Sequence, residues 1–153
     1  MERLDLLNTL LQREKEKRDA ALVEWREAER QAQATREQAQ ALVTYRGEYR
    51  QRWSAQFAQR APIEILRCYQ GFVERLEQAI GAQQGAADQA AARVQAAHAR
   101  LRHRETKVAT VQRLIERRLQ AGALREQRRD QKTSDEAAQR LSWARLGVFA
   151  AAA

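Results

Sequence analysis

On either side of Pro62, the only proline, the apolar residues from Leu4 to Ile115 recur three and four apart. Such spacing lines one face of an α-helix. Pro62 fixes its own φ, lacks a backbone N–H and disfavours the helical region for Ala61, so the sequence predicts one helix ending before it and a second beginning at it. Glu64 then falls in a first turn, where its charge suits the positive end of the helix dipole. Two helices joined by so short a connection give an antiparallel hairpin. The expected fold is all-α: a long antiparallel two-helix coiled-coil hairpin whose second helix extends past the first. Its expected parts are helix 1 over about 2–58, a turn at about 59–62, helix 2 over about 62–145, all one domain through 147, and a frayed tail at 148–153.

A heptad register written from Leu4 runs through positions 7, 11, 14, 18, 21, 25, 28, 32, 35, 39, 42, 46, 49 and 53, and eleven of these fifteen residues are apolar. That sustains a coiled-coil seam. Glu14 and Arg18 interrupt it, four apart and spaced for an intrahelical ion pair. Alanine at many seam positions allows close approach but buries little area per residue, which predicts a slender and modestly stable hairpin. After Pro62 the apolar spacing is Ile65, Tyr69, Phe72, Leu76 and Ala79 or Ile80, and the second register is written through Tyr69, Phe72, Leu76, Ala79, Gln83, Ala86, Ala90 and Val94, then Ala97, Leu101, Arg104, Val108, Val111 and Ile115. It contains two consecutive four-residue steps, Ala86–Ala90–Val94, a stutter expected to unwind the supercoil locally. Gly81 and Gly85 precede it in a GxxxG spacing, but polar surroundings exclude a transmembrane dimer motif and suggest a thinner, softer section. Helices of these lengths would measure roughly 85 and 120 Å, leaving about 30 Å of the second beyond the first.

Composition supports this reading and excludes several functions. With 31% charged and 6% aromatic residues, the chain suits a narrow apolar stripe rather than a broad core. Its net charge of +8 is concentrated: residues 100–132 hold eleven Lys/Arg against four Asp/Glu, whereas residues 1–60 hold twelve against ten. Such an excess suits an acidic protein surface, an anionic membrane face or nucleic acid. A single cysteine, Cys68, provides neither a disulfide framework nor a Cys-based metal site. The N-terminus mixes charges into a short leucine pattern, unlike a signal peptide, and no segment approaches the roughly 20 apolar residues that span a bilayer. A cytosolic location is expected. No Gly-rich phosphate loop, HExxH, nucleophile elbow or EF-hand loop is present, and His98 and His103 are five apart, off a common chelating face. Neither enzymatic activity nor a cofactor or metal is expected.

The large rings gather near Pro62: Tyr45, Tyr49, Trp53 and Phe57 before it, Tyr69 and Phe72 after it. Two explanations fit. Bulky residues close the end of a hairpin, or some of these rings form an exposed docking surface.

The segments LVTYRGEYR (42–50) and YQGFVERLEQAI (69–80), with RDQKTSDEAAQR (129–140), resemble the bacterial flagellar export protein family FliJ. The resemblance implies a coiled coil similar in shape to the central shaft of rotary ATP synthases, with its chain ends in or near the hexameric ring of the flagellar type III export ATPase. It further implies that the tip contacts the cytosolic part of the membrane export gate, that export chaperones are partners, and that the protein sits at the cytoplasmic face of the inner membrane. Carried over by position, the gate-facing residues would be Gln38, Leu42, Tyr45, Tyr49, Phe72, Leu76 and Ala79. The ring contact is assigned to the basic projecting stretch, through Arg125, Arg128, Arg129 and Lys132.

Other readings predict different behaviour. A stalk protein of a virulence-type secretion system would share shape and position, and only the tip and DQK segments separate it. A nucleic-acid-binding coiled coil would use residues 100–132, but Glu and Asp lie between the basic residues and no aromatic residues interleave to stack on bases, so no nucleic acid is expected. A plain structural coiled coil would lose only folding when its tip rings are replaced.

Overall fold

The computed structural model describes residues 2–59 and 62–152, and its two elements are α1 (Glu2–Phe57) and α2 (Ile63–Ala151). The helices pack against one another antiparallel, and the second is the longer, at 89 residues against 56. α2 starts one residue after Pro62, whose carbonyl accepts from the amides of Ile65 and Leu66 at 3.1 and 3.2 Å. The proline thus precedes the helix and supplies its first acceptor. Ala58 and Gln59 close the end of α1 by bonding back to Ser54 and Gln56. The other part of the predicted turn, Arg60 and Ala61, lies outside the described residues.

The chain divides into two compact units, Lys15–Thr106 and Met1–Glu14 with Lys107–Ala153. In the first, facing pairs run in opposite senses along the helices: Trp25 with His98, Gln38 with Gln83, Arg46 with Glu77, and Phe57 with Tyr69. Ala21, Ala32 and Ala39 on α1 and Ala90 and Ala97 on α2 are buried, with Leu76, Ile80 and Leu101 the buried large aliphatics. Each buried alanine contributes under about 1 kcal/mol where a leucine gives about 2. The middle of this unit is held by close approach more than by apolar area. In the second unit Leu4, Leu7 and Leu11 are half-buried and Val108 and Val111 are buried.

All fifteen seam positions assigned to α1 are buried or half-buried. The polar ones are accommodated individually. Thr35 turns its hydroxyl to the carbonyl of Gln31 at 2.7 Å, and Arg18 bonds the carboxylate of its neighbour Asp19 at 2.9 and 3.1 Å, rather than forming the pair with Glu14 that the spacing suggested.

On α2 the register differs from the sequence reading. Ile80 is 3% exposed and Ala87 half-buried, whereas Ala79 and Ala86 are exposed. The consecutive four-residue steps are therefore Phe72–Leu76–Ile80, and from Ile80 the three-four alternation runs unbroken to Ile115. The stutter lies beside the tip, not in the alanine-rich middle. Gly81 and Gly85 are exposed, and a Cβ at either would meet nothing within 4 Å, so neither permits a close helix approach. α2 also continues to Ala151, past the end expected near 145, through the stretch expected to fray. Leu146, Ala150 and Ala151 in this stretch favour helix, and no proline interrupts it.

Candidate docking surfaces

The tip is a ladder of six rings. α1 presents Tyr45, Tyr49, Trp53 and Phe57 at four-residue intervals along the seam edge, and α2 inserts Tyr69 and Phe72 between them. Tyr49 sits at the centre, with centroids 4.6 Å from Phe72, 5.6 Å from Tyr69, 6.0 Å from Trp53 and 6.1 Å from Tyr45. Tyr69 also packs against Trp53 at 5.9 Å and edge-on to Phe57 at 5.1 Å. These separations lie within the range of favourable aromatic pairs. Mutual packing explains most of the aromatic content: Tyr49, Trp53, Phe57, Tyr69 and Phe72 are half-buried, and only Tyr45 is exposed, at 46%.

Beside the ladder, Glu77 joins the helices. Its carboxylate accepts from Arg46 at 2.8 and 3.1 Å and from Arg50 at 2.7 Å. One acid thereby fixes two turns of α1 against α2. On α1 Gln38 and Tyr45 share a heptad position on the opposite flank of the seam. There Gln83 donates its side-chain amide to Gln38 at 2.9 Å.

The seven residues assigned to the gate thus separate by environment. Leu76 is buried, Leu42, Tyr49 and Phe72 are half-buried in the seam, and Gln38, Tyr45 and Ala79 are on the surface. The sequence reading missed the apolar start of α2. Ile63 is 69% exposed, and Ile65 and Leu66 are exposed as well, although Ile65 was written into the seam pattern. The available signal was three large aliphatics in a first helical turn with no facing residues to bury them.

In the other unit Arg125, Arg128, Arg129 and Lys132 are all exposed, and their spacing of three, four and seven places them on one helical face. Arg125 also lines a groove of about 1180 Å³ formed by the first turn of α1 (Glu2, Arg3 and Leu4) and residues 118–126. Beyond the basic residues, Leu141, Trp143, Leu146, Val148 and Phe149 are all strongly exposed. The sequence reading placed Val148 and Phe149 in a frayed tail and gave Leu141, Trp143 and Leu146 no role, and so passed over this exposed apolar group.

Among the described residues no helix is long and apolar enough to cross a membrane, and no group of three or more His, Cys, Asp and Glu could hold a metal ion. A comparison with protein families matches residues 4–147 to the family described as Flagellar FliJ protein. No curated protein matches the chain.

Proposed function

This chain belongs to the flagellar FliJ family, and from that premise we propose that it is the stalk of the hexameric flagellar export ATPase. In this role it promotes assembly and activity of the ring and links it to the cytosolic part of the membrane export gate. It performs no catalysis itself. It works in the cytoplasm at the inner membrane, and export chaperones are its further partners.

The observation that carries this reading is the uncovered stretch of α2. Every described residue from Glu116 to Ala152 is exposed, yet the helix persists to Ala151. A long helix that exposes Leu141, Trp143, Leu146 and Phe149 is suited to a partner in another molecule. The basic face of Arg125, Arg128, Arg129 and Lys132 favours an acidic ring lining, and such charges act mainly on encounter rate and orientation.

At the tip, Gln38, Tyr45 and Ala79 supply the accessible part of the gate surface, while Leu42, Tyr49, Phe72 and Leu76 hold its shape. Reversing Arg125, Arg128 and Arg129 to Glu tests the ring contact. Ring binding should weaken while gate binding through the tip is retained, and unchanged affinity at low salt would overturn the assignment.

A further inference from the structure

Within the unit Lys15–Thr106, an open groove of about 560 Å³ lies along the two helices, walled by Lys17, Arg100, His103 and Arg104 and floored by alanines, Ala21 among them. Glu24 is the single acidic residue in its lining, and it reaches Arg100 only at 3.9 Å. Arg104 occupies a seam position and is half-buried, and among the described residues it pairs with no carboxylate. The other half-buried arginine in this part of the seam, Arg18, is neutralised by Asp19.

Holding an arginine partly buried in the seam without a counter-charge is unfavourable, and an anion supplied from outside would relieve it. Arginine forks match phosphate oxygens, and His103 adds a ring N–H donor. We propose that this groove binds a phosphate group, with Arg100 and Arg104 as its principal ligands and Lys17 completing the site from the facing helix.

Trp25 provides the reporter, because it packs on His98 at 5.4 Å in the same unit, one residue from Glu24. Trp53→Phe with Trp143→Phe in the full chain leaves Trp25 as the only tryptophan. This protein is titrated with inorganic phosphate, pyrophosphate, and phosphatidylglycerol vesicles, against chloride at equal ionic strength and phosphatidylcholine vesicles. The expected result is a saturable change in Trp25 emission with phosphate-bearing probes only, at roughly tenfold weaker apparent affinity in Arg104→Gln and in Arg100→Gln. A response to soluble phosphate and pyrophosphate identifies a free phosphate compound. A response confined to phosphatidylglycerol identifies a lipid headgroup, and both support the site.

Arg104→Leu separates binding from structure. An apolar seam residue should raise the melting temperature of the ligand-free hairpin and abolish the phosphate response. Equal effects of phosphate and chloride, together with no preference for phosphatidylglycerol, overturn the proposal. So does a full response in Arg104→Leu.

Discussion

Tyr49 and Tyr69 lie ring to ring across the two helices, with centroids 5.6 Å apart and planes 12° from parallel. Tyr49 also touches three further rings, so the tip is first a packing element and only at its edge a surface. Tyr49→Ala should therefore destabilise the hairpin by roughly 2–3 kcal/mol in chemical denaturation. Tyr45→Ala should cost under about 1 kcal/mol and act mainly on gate affinity. Equal stability losses from the two would contradict this division of roles.

The register of α2 predicts opposite outcomes for adjacent residues. Ile80→Asp places a charge at a buried seam position and should cost several kcal/mol, on the order of 3–5. Ala79→Asp, on the surface next to it, should stay within about 0.5 kcal/mol. Melting temperatures of the two variants decide between the registers.

This pair also indicates what the sequence left undecided. On α1 the seam was legible because large residues such as Trp25, Tyr49 and Trp53 stand alone among polar neighbours. On α2, Ala79 stands next to Ile80 and Ala86 next to Ala87, so two registers satisfied the same apolar pattern. Size decides the first doublet: Ile80 has more to gain from burial than Ala79. The C-terminal boundary was misjudged for another reason. The tail was expected to fray from 148, but no proline stands near it, and Ala144, Leu146 and Ala150 favour helix, so α2 runs on to Ala151. The candidate gate residues were carried over by position from the family resemblance of the tip segments. Their exposure was not legible, since it depends on which rings the facing helix supplies.

Glu77 bonded to both Arg46 and Arg50 makes the charged flank of the tip salt-sensitive. Glu77→Gln should lower stability by about 1 kcal/mol at low ionic strength and by less in high salt. A double-mutant cycle with Arg46→Gln measures the coupling. Arg30 and Glu27 form a contrasting pair. Arg30 hydrogen-bonds the Glu27 carboxylate and holds its pKa below the usual value, so any stabilisation is present above the unfolded pKa and lost as pH falls through the folded one. The pair is exposed, and Glu27→Gln should leave the melting temperature at pH 7 unchanged.

Gly81 and Gly85 stand in a helix with open space where their side chains would be. Replacing each with alanine should stabilise the protein by up to about 1 kcal/mol. A loss of stability would indicate a close approach at these positions that the structure does not contain.

The stalk assignment is tested most directly by the hydrolysis rate of the cognate export ATPase with the full chain and with a chain ending at Ala123. The truncation removes only exposed residues, since the last half-buried position of α2 is Ile115. The shortened protein should therefore remain helical and as stable as the full chain. The predicted result is stimulated hydrolysis and ring assembly with the full chain, both lost on truncation. No effect from either protein, with both fully helical, would contradict the stalk role.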